Sequence, residues 1–161
     1  MTEITYKYLA SEGFHDFKSS SCFTRFLQKD EHTFYLATFK CERHHKGEGK
    51  QLLLYALKWI ANNYTDTIRI SLFADPSTKF LSNMSFKDWE EKKRENQLKL
   101  NAYYSKLGFV EEVKNKNNFI GDLQTLITTI QDQQGGKINK RHIKKKSKTL
   151  KKIRKSKNSN S

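Results

Sequence analysis

A chain of 161 residues with 35% apolar content is long enough for one domain with its own core, and it lacks the twenty-residue apolar run of a membrane span. Its two cysteines, Cys22 and Cys41, are too few for a disulfide scaffold and have no C-x-x-C spacing, which makes a reducing interior the expected home. The net charge of +14 is local: residues 135–161 hold 12 Lys or Arg and no acid, leaving the body with 19 basic against 17 acidic residues.

The first residues mix charges into a short run, so no signal peptide is legible and an intracellular protein, in cytoplasm or nucleus, is expected. Ile4, Tyr6 and Tyr8 then alternate with Thr5 and Lys7, the period of a strand. Cys22 to Gln28 and Thr33 to Glu42 are two β-rich runs separated by Lys29 to His32, the spacing of a hairpin. The second run, dense in aromatic and β-branched residues, suits a central strand and leads into His44-His45-Lys46-Gly47-Glu48-Gly49.

From Lys50 a helix is predicted, because Leu53, Leu57 and Ile60 recur at i, i+4 and i+7, with Leu52, Ala56 and Trp59 widening the stripe. Asn62 and Asn63 are its stop, and Ile68, Ile70 and Leu72 alternate as a strand before the breaker Ala74 to Pro76. Strand, glycine turn, helix and strand in this order predict a right-handed βαβ crossover. Ser77 to Ser85 is polar and aperiodic; Phe86 to Leu107 reads as a long charged helix with Leu100, Tyr104 and Leu107 on one face and Gly108 as a left-handed cap. Two strands are expected after it, at Phe109 to Val113 and Phe119 to Ile130, with a turn at Lys114 to Asn118.

Two glycines one residue apart at a helix start form an anion cradle, since the first helical N–H groups lack partners and no Cβ intervenes. The P-loop pattern would need Gly at position 44 and Ser or Thr at 51, where the chain has His44 and Gln51. The dinucleotide fingerprint would need Gly where Leu52 stands. What remains resembles the GNAT superfamily of acetyl-CoA-dependent N-acetyltransferases, whose loop runs Gln/Arg-x-x-Gly-x-Gly/Ala into a pair of leucines. The matching stretch here is His44 to Leu53, and the family's second signature, Tyr-x-Lys-x-Gly-Phe, matches Tyr104 to Phe109.

The resemblance covers roughly Thr33 to Ile130 and implies an α/β (α+β) fold, a mixed, mostly antiparallel central sheet with helices on both faces. It implies acetyl-CoA as cosubstrate, bound between two parallel strands that splay apart. Ala37, Thr38 and Phe39 would pair with the pantetheine amides, and His44, Lys46, Gly47, Glu48, Gly49 and Lys50 would surround the pyrophosphate. Tyr104 would be the general acid that protonates the departing thiolate. The chain departs from the family at His44, where Gln or Arg is usual, and at Glu48, an acid between the glycines. The N-terminus is short for the family's helical pair, which leaves Ser77 to Ser85 and the helix after it as the expected acceptor wall. Glu31, His32 and Glu42 are candidate bases through a water, although solvated turn residues are the better reading of all three. His44 and His45 without a third ligand do not make a metal site, and no metal is expected.

These readings divide the chain into a catalytic domain over 1–134 and a basic tail over 135–161, expected to be disordered alone because like charges repel and no core can form. The acceptor is an amine of unspecified identity, protein or small molecule. The tail suits nucleic acid or another polyanion through charge. The alternative function is a noncatalytic nucleic-acid-associated protein on the same scaffold, with the tail carrying the function.

Overall fold

The computed structural model describes residues 3–42, 47–76, 78–114 and 116–135. Seven strands form one sheet: β1 (Thr5–Leu9), β2 (Phe14–Lys18), β3 (Cys22–Asp30), β4 (Thr33–Cys41), β5 (Arg69–Phe73), β6 (Val110–Glu111) and β7 (Asn118–Asp122), in the order β1-β2-β3-β4-β5-β7-β6. Every neighbouring pair is antiparallel except β4 with β5, which are joined by α1 (Glu48–Asn63). A second helix, α2 (Phe86–Leu107), links β5 to β6, and a third, α3, spans 123–135 after β7.

Local sequence accounts for most of these elements. Leu52, Leu53, Ala56, Leu57 and Ile60 of α1 are completely buried, and each leucine or isoleucine so enclosed contributes about 1.5–3 kcal/mol. They meet the inner faces of β2 and β3, where Phe17 stacks edge-on against Tyr55 and Trp59. The other two helices are set by their ends. Ser85 caps α2 by accepting a hydrogen bond from the Asp88 amide (3.1 Å), and Gly108, at φ 110°, ends it.

One expectation is corrected, and one strand is added. Residues 123–130, read as the continuation of a strand from Phe119, are helical. The β-branched Ile127, Thr128, Thr129 and Ile130 favour a strand locally, but Leu123, Leu126, Ile127 and Ile130 are all buried at helical spacing. Asp122 supplies the cap, its carboxylate accepting from the Thr125 amide and hydroxyl, both at 2.9 Å. Strand β2 carries no apolar alternation in the sequence because one of its two inward residues, beside Phe17, is the polar His15, enclosed by Tyr6, Tyr8, Phe34, Trp59 and Tyr64. Burial lowers the pKa of His15, and its Nδ1 lies 2.7 Å from the Tyr6 hydroxyl.

β1 turns straight into β2 through Ala10–Gly13, with Gly13 at φ 73°. The cysteines, too few for a scaffold, nonetheless make one staple. Cys22 and Cys41 are opposed residues of β3 and β4, and their sulfurs are bonded. Among the described residues no helix is long and apolar enough to cross a membrane. The basic stretch from Gly136 onward lies outside the described residues.

Candidate active site

The parallel ladder between β4 and β5 is short. It runs from Thr33 and Arg69 to Leu36 and Leu72 and stops there, although β4 continues to Cys41. Both strands contribute to the parting. In β4, Thr38 pairs with Arg25 and Leu36 with Phe26, so Ala37 is the extra residue of a β-bulge, and a bulge bends its strand. In β5, the chain beyond Leu72 is held elsewhere. The Ala74 amide donates to the Asn117 carbonyl (2.8 Å), and the Ala74 carbonyl accepts from Gln97 Nε2 of α2 (2.8 Å). Gln97 also donates to Asn101, whose own amide donates to Asn117 Oδ1. Beyond Leu36, Ala37, Thr38 and Phe39 therefore lie where β4 has β3 on one side and no paired strand on the other.

At the far end of β4 the chain enters α1. Gly47 stands at φ 90°, a left-handed conformation that costs a residue with a side chain about 1–2 kcal/mol, and nothing lies within 4 Å of where its Cβ would be. The Gln51 amide closes the first turn onto the Gly47 carbonyl at 3.0 Å, leaving the amides of Glu48, Gly49 and Lys50 without intrahelical acceptors. Gly49 packs closely: a Cβ there would lie 3.1 Å from both Cys41 Sγ and Phe39 Cζ.

Glu48 is turned to the turn between β2 and β3. Its carboxylate accepts from Ser20 Oγ (2.8 Å), the Ser21 amide (3.2 Å) and Ser21 Oγ. The hydroxyls of Ser21 and Ser20 pull its pKa down to about 2, so it is an anion whose charge is taken up by these donors. Its position at the first turn of α1 also suits the helix dipole.

Tyr104, near the end of α2, is buried. Its ring meets Phe109 edge-on (5.7 Å) and lies 6.2 Å from Phe119, and burial, with Tyr103 adding to it, pushes the phenol up to about 12. The adjacent Tyr103 stacks on Phe39 at 6.3 Å and 16°, carrying α2 across to the bulged part of β4. Burial raises the Tyr103 phenol as well.

The motif positions thus fall into one neighbourhood at the end of β4: Ala37 to Phe39, Gly47 to Lys50, and the Tyr103–Tyr104 pair. His44 and Lys46 lie outside the described residues. Glu31 and His32 are not brought to it; they precede β4, and the six steps of strand from Thr33 to Phe39 span about 20 Å. Glu42 is exposed, with its amide on the Ser21 carbonyl. Sequence reasoning missed the links of Gln97 to Ala74 and of Asn101 to Asn117 and the serine clamp on Glu48, since each joins residues far apart in sequence. Among the described residues no three His, Cys, Asp or Glu gather as metal ligands. A cavity of about 450 Å³ lies at the other end of β5, lined by Ile68, Arg69, Gly108, Val110, Asp122 and Thr125.

No family model matches the chain, and no curated protein does. Solved structures match by shape. A putative acetyltransferase of the GNAT family from Desulfovibrio desulfuricans superposes with a TM-score of 0.52 at 10% identity, over 76% of this chain and 99% of that one. The GNAT family N-acetyltransferase YhbS from Escherichia coli, in complex with CoA, is similar at a TM-score of 0.49 and 10% identity, over 78% and 84%.

Proposed function

With the GNAT fold as premise, we propose that the chain is an acyl-CoA N-acyltransferase that moves acetyl from acetyl-CoA to a primary amine. The observation that carries the reading is the parting of β4 from β5 after Leu36 and Leu72, beside a glycine-opened helix and a buried phenol.

The residues present fit such a cosubstrate. The bulged backbone of Ala37 to Phe39 offers the edge that pairs with pantetheine amides, and the amides of Glu48, Gly49 and Lys50 offer donors for pyrophosphate, beside the expected His44 and Lys46. Glu48 does not oppose this, because its carboxylate is held by Ser20 and Ser21. When bound, acetyl-CoA supplies a thioester carbonyl open to attack.

The chain's own part is to hold that carbonyl and to manage protons. A lysine-type amine, with a pKa of about 10.4, attacks only in its neutral form. As its nitrogen bonds to the carbonyl carbon and the carbon–sulfur bond breaks, Tyr104 gives its proton to sulfur, and the proton that the new amide nitrogen loses to water returns to the phenolate. A phenol held at about 12 keeps its proton throughout the range in which the amine becomes neutral. The amide N–H groups around the Ala37 bulge serve as donors for the carbonyl oxygen as charge develops.

The test is calorimetric titration with acetyl-CoA and CoA, then turnover on a panel of amines with the full chain and with Tyr104→Phe. Binding with turnover supports the reading. Failure to bind either compound overturns it in favour of a scaffold whose basic tail acts on nucleic acid.

A further inference from the structure

Two separate attachments converge on the turn that joins β2 to β3. One is covalent: Cys22 opens β3, Cys41 closes β4, and the two are bonded through their sulfurs. The other is polar: Ser20 and Ser21 hold the Glu48 carboxylate at the first turn of α1. Between them, the Glu42 amide donates to the Ser21 carbonyl at 2.7 Å. Cys41 Sγ also lies against α1 itself, 3.1 Å from the place of a Cβ on Gly49. The disulfide therefore sits inside the contact that seats the helix N-terminus on β4. Cys22 is enclosed, whereas Cys41 is partly exposed and open to attack.

We propose that the Cys22–Cys41 pair is a redox switch that sets the seating of the α1 N-terminus against β4. A dithiol reductant attacks the Cys41 sulfur to form a mixed disulfide, and its second thiol then resolves that bond. Two electrons and two protons pass to the protein, and the reductant leaves as a cyclic disulfide. The freed sulfurs, no longer bonded, separate to van der Waals distance. With Cys22 fixed among β3 core residues, Cys41 moves, and its sulfur lies so close to Gly49 that a Cβ there would be only 3.1 Å away. The first turn of α1 shifts, and the Glu48 clamp with it. The consequence for ligand affinity rests on the proposed CoA site; the coupling itself does not.

The experiment compares the oxidised full chain with the same protein reduced by dithiothreitol, and with the Cys22→Ser/Cys41→Ser double variant, by amide hydrogen exchange and by CoA titration. In the reduced protein the amides of Gln51 to Leu54 should exchange about tenfold faster while those of β1 and β2 hold their rates, and CoA should bind about tenfold more weakly if the competent seating falls to about a tenth of the population. The double variant should behave as the reduced protein. Equal exchange in α1 in both redox states overturns the proposal, and so does acceleration spread evenly over β1 and β2, which describes a staple for the whole fold. Localised acceleration with no CoA binding in either state upholds the switch and removes the cofactor reading instead.

Discussion

Gln97 of α2 donates its side-chain amide to the Ala74 carbonyl at 2.8 Å, tying the chain just beyond β5 to α2 where β5 leaves β4. Gln97→Leu keeps the volume and removes the donor. A hydrogen bond of this kind is worth about 0.5–1.5 kcal/mol, with a further cost if the carbonyl is left unpaired. Acetyl-CoA affinity should fall several-fold while the unfolding midpoint moves by only a few degrees. An unchanged affinity would show that the parting of the strands does not depend on this bond.

The Glu48 clamp makes stability depend on acid. Its folded pKa of about 2 lies below the ordinary value of 4.5, so the folded state binds fewer protons there than the unfolded chain. Stability from this group is complete above about 4.5 and is lost as pH falls towards 2. Denaturant midpoints measured across that window should drop in the native protein and drop less steeply in Glu48→Gln. Parallel profiles for the two proteins would place the acid sensitivity elsewhere.

Tyr104 should govern the alkaline limb of any transferase activity. Because its phenol is held at about 12, rate should climb with pH as the amine loses its proton, with no decline from Tyr104 before pH 11. Tyr104→Phe should cost about 10²–10⁴-fold in kcat, the usual worth of a positioned acid, with little change in acetyl-CoA affinity. Tyr103→Phe keeps the stacked ring on Phe39 and should leave turnover within a fewfold of the native value. Equal losses in both variants would count against a distinct role for Tyr104.

The two loop glycines should fail differently. Gly49→Ala places a methyl 3.1 Å from Cys41 Sγ and Phe39 Cζ and should destabilise the fold by about 1–3 kcal/mol, as overpacking does. Gly47→Ala meets no neighbour and suffers only the left-handed backbone, about 1–2 kcal/mol. Thermal unfolding of the pair, with Gly47→Asn as a variant that tolerates positive φ, distinguishes crowding from backbone strain. Rescue by Asn at 47 is the expected result.

The basic tail is proposed to bind nucleic acid through charge. Affinity for a duplex of arbitrary sequence should then fall with salt, with a log–log slope of about 0.9 per phosphate neutralised. Removal of residues 136–161 should abolish it, and a flat salt response would exclude a charge-driven contact.

Elements with a strong local period were legible in the chain itself. The stripe of α1, the aromatic and β-branched density of β4, the alternation of β5, the Gly108 cap of α2 and the two glycines at the start of α1 all depend on residues within a few positions of one another. The glycine loop and the Tyr104 motif could therefore be placed on a strand–helix junction and a helix end without coordinates. Where local preference and packing disagreed, packing won: residues 123–130 favour a strand by composition, yet their buried side chains recur at helical spacing beneath an Asp122 cap. The bonding of Cys22 to Cys41 required β3 and β4 to meet in one register, and the serine clamp on Glu48 required the turn before β3 to meet α1. The opening beyond Leu36 coincides with a one-residue bulge at Ala37 and with Gln97 and Asn101 of α2 and the later Asn117, brought to the end of β5 by the fold. Periodicity and turn chemistry act over one or two turns of backbone and are written in order. Register, cross-links and amide networks join residues that only the closed sheet brings together, so the tertiary structure alone decided them.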